Sequence, residues 1–492
     1  MKRISLLSAT LLMSVMTSAQ TMYVNMGDVS YAIEASQAGD MLFNDGTSLT
    51  IGQKTYPLSK VTSIQVAEGS VADNTVAVAY DGGKAKVVIA GNLAPYVSAT
   101  VNGGHVAVIA SESLQQEVTY SLSGQSADGS FYMDGDYAIQ LVLNGLTLTN
   151  PDSAAVNIQD GKLITIVLAD GTANTLADGL THVSDDGSDG HNAAFYVDGH
   201  TSWTGTGSLT ITGNVKHGFS SDEYTLFGDG LGNVTIANAV GDGLHINQYF
   251  KMLGGTLNIN AAGDGVDVGK KKTDKTDNGF LTISGGTLNV TTTGNATKAL
   301  KCDSCMIVTG GNITATTTGS AIYDSSEADI SSNAAAKCDA TFTMTGGTMY
   351  LTSTGDGGKG INATGDITIS GGTLTVVTTG DVFTYEQEDT KPQAIKSDGN
   401  ITLSGGTILS CASANDGTAF KTDNTLLTNG TTLMGVGGKA CTAASSSTHK
   451  APKYKDVKVS GGSTLSYDGV SFTIPAIYNN SSAKVIVSSP AL

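Results

Sequence analysis

The chain has 492 residues, with 62 Gly, only 7 Pro and a formal net charge of −18, from 26 Lys+Arg against 44 Asp+Glu. Only 14% of residues are charged while Thr, Val and Ile abound, which excludes helical bundles and coiled coils built on Glu, Lys, Leu and Ala. The acidic balance excludes nucleic acid and an anionic membrane surface as direct partners, and at first sight it excludes an acidic polysaccharide too.

Lys2 and Arg3 precede an apolar run over 4–16 and then Thr17-Ser18-Ala19, the pattern of a secretory leader over residues 1–19, cut after Ala19. The run is shorter than the ~20 apolar residues of a membrane-spanning helix. No Cys follows the cut to carry a lipid anchor. The expectation is a secreted, periplasmic or cell-surface monomer with no membrane insertion. Loss of Lys2 and Arg3 leaves 24 basic against 44 acidic residues, a charge of −20.

Residues 20–72 read as a small β module or cap, with a hairpin pattern in SLTIGQKTYPLSKVTSIQV (48–66). Residues 73–470 read as a solenoid and 471–492, containing FTIP at 472–475, as its C-terminal cap. Early strands alternate in AIQLVLNGLTLT (138–149), AAVNIQDG (154–161), 163–168 and 208–213. The repeat is plainest downstream. MLGGTLNI, LTISGGTLNV, MIVTGGNITA, FTMTGGTMYL, ITISGGTLTV and ITLSGGTILS place the first Gly of each pair at 254, 285, 310, 346, 371 and 405. The spacings are therefore 31, 25, 36, 25 and 34, so the bare unit is 25. The longer spacings carry polar insertions at 269–279, 325–340 and 384–392, which read as loops. Each unit offers three short strands and three corners, with a Gly pair where a Cβ would obstruct a tight turn. That is one coil of a parallel β-helix, an all-β fold without βαβ crossovers.

The third strand of each coil starts on a small residue, continues with an apolar residue facing the core, and ends on an outward one. The outward series includes His245, Asp267, Lys301, Tyr323, Asn362, Lys396 and Lys421. Two places further on, Asp recurs at 198, 222, 303, 398 and 423, while Asp324 stands one place early. Asp242, Asp264 and Asp356 occupy Gly-Asp-Gly turns. Stacked strands lie about 4.8 Å apart, so carboxylates in register repel one another unless neutralised. Calcium, with six to eight oxygen ligands, suits such a corner. The expected ligands are Asp242, Asp264, Asp267, Asp303, Asp324, Asp398 and Asp423. Plain turn chemistry explains the Gly-Asp-Gly members equally well. The column residues Lys301, Tyr323, Asn362, Lys396, Lys421 and His245 are the expected ligand-binding set. The lysines either relieve Asp repulsion or meet the carboxylates of a uronate polymer. Beside a divalent ion, one of Lys301, Lys396 or Lys421 could also serve as a base.

Other motifs carry less. Cys302-Asp-Ser-Cys305 has the spacing of a redox or zinc half-site without its usual context, so Cys302, Cys305, Cys338, Cys411 and Cys441 are expected to fill the core or form one or two bridges. DDGSDG at 185–190 resembles an EF-hand loop but lacks the closing Glu. His182, His191, His200, His217 and His245 occur without a Gly-x-Ser-x-Gly elbow. Trp203 reads as a packing residue rather than a sugar platform.

The run DYAIQLVLNGLTLTNPDSAAVNIQDGKLITIVLADGTANTLAD (136–178), followed by SGGT coils with Gly-Asp-Gly and Lys-x-Asp corners, resembles the bacterial carbohydrate-binding domain-containing β-helix proteins. That group includes a clostridial pectin- and cellulose-binding surface protein. The resemblance implies a right-handed parallel β-helix related to calcium-dependent pectate lyases, bound Ca²⁺, and binding of acidic polysaccharide. On the lyase pattern it carries Asp303, Asp398 and Asp423 over as calcium ligands and Lys301, Lys396 or Lys421 as a base-like residue. The chain lacks a compact Asp cluster beside one privileged Lys, so non-catalytic binding leads, with a polysaccharide lyase and a surface adhesin as the alternatives.

Overall fold

The computed structural model describes residues 20–34, 38–69, 71–179, 193–271 and 278–492. The expected leader (1–19) and the EF-hand-like stretch with His182 and His191 lie outside the described residues. The architecture is all-β. Among the described residues helix is confined to Ala38 and the short 3-10 turn Gly91–Leu93. No helix there is long and apolar enough to cross a membrane.

The chain divides into two compact units, the first being residues 1–191 with 195–207 and the second 192–194 with 208–492. The first unit opens on antiparallel pairing. Gln20–Met26 lies between Val29–Glu34 and Ser63–Glu68. Met41–Asn44, Ser48–Ile51 and Lys54–Pro57 make a separate three-stranded meander. Pairing then turns parallel, as Thr75–Asp81 meets Val118–Ser126, which meets Ile139–Asn150, which meets Leu163–Leu168. Leu163–Leu168 pairs in turn with His200–Thr204, where Trp203 is buried as a packing residue.

The second unit consists mainly of three long parallel ladders, the arrangement of a β-helix. One runs Thr225–Phe227, Tyr249–Met252, Phe280–Ile283, Met306–Val308, Phe342–Met344, Ile367–Ile369, Ile401–Leu403 and Leu426–Thr428. The next runs from Ser208–Gly213 through Thr287–Thr292 and Thr373–Thr378 to Thr432–Gly437. The third holds the strands from His217–Ser221 to Thr418–Thr422. Alternation explains these strands. In Ile367-Thr368-Ile369 both Ile side chains are buried while Thr368 faces outward. The Gly pairs make the corner between the first two ladders, where Gly372 takes φ +85° and a Cβ on Gly371 would lie 2.3 Å from the Thr345 carbonyl oxygen. At the far end Thr432–Gly437 pairs antiparallel with Asn480–Ser488, which closes the ladder with a strand of opposite direction.

Two expected loops contain strands. Residues 325–340 include Ala334–Cys338, which takes the place in the third ladder between Lys298–Cys302 and Lys359–Ala363. Ile322–Asp324 therefore leaves the ladder and pairs with Asp329–Ser331 as a hairpin. Its Ile322 is exposed, which an inward ladder position would not allow. Residues 384–392 belong to a second hairpin, Phe383–Tyr385 with Glu388–Thr390. All five cysteines are free, so no bridge forms. Cys302 and Cys338 are register neighbours inside the core, and burial raises both thiols above the ordinary range.

Candidate functional site

The third ladder presents one continuous outward column. Ser220, His245, Asp267, Lys301, Lys337, Asn362, Lys396 and Lys421 are consecutive register partners. Each follows a buried residue, as Asn362 follows Ile361 and Lys396 follows Ile395, so strand alternation turns it out. Tyr323 is not in this column. Lys337 holds the place expected for it, because the hairpin removes Tyr323 and stacks its ring on Tyr385, with centroids 4.1 Å apart. The signal for Lys337 was present, since Ala336-Lys337-Cys338-Asp339 copies Leu300-Lys301-Cys302-Asp303 in all but one residue.

The two ends of the column differ. Toward the C-terminus each Lys pairs with the Asp two residues later on its own strand. Lys396 lies 2.7 Å from Asp398, and Lys337 and Lys421 pair likewise with Asp339 and Asp423. These lysines relieve the carboxylate repulsion expected from the register. Lys301 breaks the pattern. Its ammonium turns back to Asp267 Oδ1 at 3.0 Å and Asp264 Oδ2 at 3.5 Å. Asp303 is thus left with the Lys270 N–H, at 3.2 Å, and no ion-paired Lys among the described residues.

Toward the N-terminus, contrary to the expectation of no compact Asp cluster beside one Lys, lies a compact cluster of His217, Asp242, His245, Asp264, Asp267 and Lys301, which the coil-to-coil register brings together. The corner Asp residues are coil-to-coil fasteners. Asp242 Oδ1 accepts the Asp264 N–H at 2.8 Å, and Asp264 Oδ1 accepts the Lys298 N–H at 2.7 Å. The same device recurs where Asp356 accepts Asp381 N–H and Asp366 accepts Asn400 N–H. The other oxygen of each corner Asp faces the column. Asp242 Oδ2 lies 3.2 Å from His217 Nδ1 and 3.0 Å from His245 Nδ1. His245 Nδ1 is also 3.5 Å from Asp267 Oδ2. The two imidazoles stack with centroids 4.4 Å apart, and His217 Nδ1 accepts the Asp242 N–H.

Electrostatics follow from burial and these contacts. Burial opposes charge on Asp242, but its contacts with His217 and His245 outweigh it and hold the carboxyl below the usual carboxylate range. Burial would lower His245, yet Asp242 and Asp267 raise it to about 9. Burial pushes Asp264 up to about 6 against the pull of Lys301. Lys301 itself is held above its ordinary range, because Asp267 and Asp264 outweigh its burial.

The seven expected metal ligands therefore separate. Asp242, Asp264 and Asp267 come together, whereas Asp303, Asp398 and Asp423 follow the outward column. Asp324 caps its own hairpin by accepting the Ser326 N–H and hydroxyl. Calcium requires six to eight oxygens. The inner cluster does not fit it, since the Lys301 ammonium already stands beside the buried Asp267 Oδ1, which has no hydrogen bond, and the remaining neighbours include imidazole nitrogens. Among the outer carboxylates Asp303 fits by donor chemistry, because it is not ion-paired among the described residues, whereas Asp398 and Asp423 already hold the Lys396 and Lys421 ammonium groups.

A carbohydrate-binding domain-containing protein of Acetivibrio thermocellus is 32% identical over 121 residues, 24% of this chain and 41% of that protein. The chain thus spans less than half the length of that relative. A solved structure, the gadolinium derivative of a polysaccharide lyase-like protein from C. thermocellum, is 22% identical with a TM-score of 0.45, covering 55% of this chain and 96% of that one. The family model for carbohydrate-binding domain-containing proteins matches residues 111–382, more than half of the chain, and the chain belongs to that family.

Proposed function

We propose that the chain is an exported, non-catalytic protein that binds acidic polysaccharide of the polygalacturonate type along the outward column of its third ladder. The observation that carries this reading is repetition. Lys301, Lys337, Asn362, Lys396 and Lys421 follow one another strand by strand, about 4.8 Å apart, and a polymer offers its carboxylates at regular intervals. A fold of right-handed coils with a bare repeat of about 25 residues belongs to the same proposal. A lyase base must be neutral to take a proton, and the two carboxylates on Lys301 keep it charged. Binding without catalysis therefore suits this column better than elimination.

Calcium enters the proposal at Asp303, where it would supply a positive bridge between protein and uronate carboxylates; at the expected ligands Asp398 and Asp423 it would have to displace Lys396 and Lys421. The test is retention on immobilised polygalacturonate, with cellulose as the neutral comparison. Wild type is expected to be retained on the acidic polymer, less so with chelator. The Lys337→Ala/Lys396→Ala/Lys421→Ala variant is expected to lose most of its retention. Unchanged retention of that variant overturns the column reading, and release of unsaturated ends by wild type replaces it with a lyase. Retention that ignores chelator removes calcium alone.

A further inference from the structure

The His217–Asp242–His245 group is surplus to the polysaccharide reading. Its donors are two imidazole nitrogens and a carboxylate oxygen, all within 4.8 Å of one another. These three leave a fourth position for water, as in open zinc sites. We propose that His217, His245 and Asp242 form a binding site for a divalent transition-metal ion of the zinc class.

Three observations support it. The first is donor spacing. A tetrahedral ion with bonds of about 2.0–2.1 Å holds its ligand atoms roughly 3.3 Å apart. Two edges here are 3.2 Å and 3.0 Å, and the third, between the imidazole nitrogens, is within 4.8 Å. The second is donor type, because imidazole nitrogen with carboxylate suits zinc, cobalt, nickel and copper, whereas calcium takes oxygen alone. The third is the outer support. Asp242 has Oδ1 tied down by the Asp264 N–H. It thus has one oxygen fixed by the protein and the other facing the imidazoles, which is how metal-binding carboxylates are oriented.

The donors come from two successive strands and one Gly-Asp-Gly corner. His217 begins His217–Ser221 and His245 lies in Leu244–Asn247. A bound ion would therefore join two consecutive coils. Binding exchanges the Asp242 N–H bond at His217 Nδ1 for a metal bond.

The experiment needs no polysaccharide, so its failure is separable from failure of the binding reading. Tag-free, chelator-treated protein is titrated with Co²⁺ and with Zn²⁺, followed by visible absorption and calorimetry. One equivalent is expected, with the intense visible bands of four-coordinate cobalt, displaced by Zn²⁺ but not by Ca²⁺. The His217→Ala/His245→Ala variant is expected to bind at least ~100-fold more weakly, and His449→Ala as wild type does. Absence of a saturable cobalt spectrum in wild type overturns the site without any variant. Wild-type affinity in the folded double variant also overturns it.

Discussion

Lys359 shows how much one side chain depends on its surroundings. It is 3% exposed, and its ammonium donates to Thr390 Oγ1 at 2.8 Å and to the Lys391 carbonyl. Burial, with Lys396 adding to it, lowers its pKa to about 7 from the ordinary 10.5. Between those two values the unfolded chain holds the extra proton, so stability rises with pH across that window. Below about 7 the group is charged in both states and the cost of burying the charge is fully present. Melting curves of wild type and Lys359→Met should therefore converge or diverge with pH in one direction only. The stability of wild type relative to the variant should improve from pH 7 to pH 9.5, by up to ~1.4 kcal/mol for each unit inside the window. A constant difference would mean that the amine is charged throughout. Nothing at Lys359 in the sequence announces this. Its cover is the hairpin of Phe383–Tyr385 and Glu388–Thr390, from an insertion that reads as a loop.

At the scale of the element, the coil corners were legible and the insertions were not. The Gly pair repeats because each corner meets the same steric demand, so the demand is written into every repeat. At Gly371–Gly372 the two glycines do different work. Gly372 needs a left-handed φ of +85°, and Gly371 needs room beside the Thr345 carbonyl. Gly372→Ala should cost ~1–2 kcal/mol for its φ alone, and more because its Cβ would also lie 2.7 Å from the Gly347 carbonyl oxygen of the preceding coil. Gly371→Ala meets that coil's backbone closer still, at 2.3 Å, but without a left-handed φ. Urea midpoints of the two variants rank the demands, and equal midpoints would show that the corner yields. The inserted segments lack such repetition. Ala334–Cys338 extends the ladder after a hairpin whose length no period predicts. Tyr323 meets Tyr385 from 62 residues away in sequence, and only the juxtaposition of two hairpins brings the rings together. The candidate site divides in the same way. The alternating column could be read strand by strand, whereas the turning of Lys301 toward Asp264 and Asp267, and the His217–His245 stack, arise between coils.

At the scale of the whole molecule, a net charge of −18 confronts a polyanion, and the column must act against that field. Distance resolves the conflict. The Debye length is roughly 30 Å at 0.01 M salt, about 8 Å at 0.15 M and about 3 Å at 1 M. At the lowest salt an approaching polyuronate senses the entire acidic surplus. At 0.15 M the distant carboxylates are screened, while Lys337, Lys396 and Lys421 still act on a polymer in contact. At 1 M those contacts are screened as well. Without added calcium, retention on polygalacturonate should therefore pass through a maximum near 0.15 M and fall on both sides. The Lys337→Ala/Lys396→Ala/Lys421→Ala variant should lose the maximum and stay low throughout. A steady fall from the lowest salt would show that local lysines dominate at every range. A steady rise would show that charge attraction plays no part and that the polymer is held through its hydroxyls.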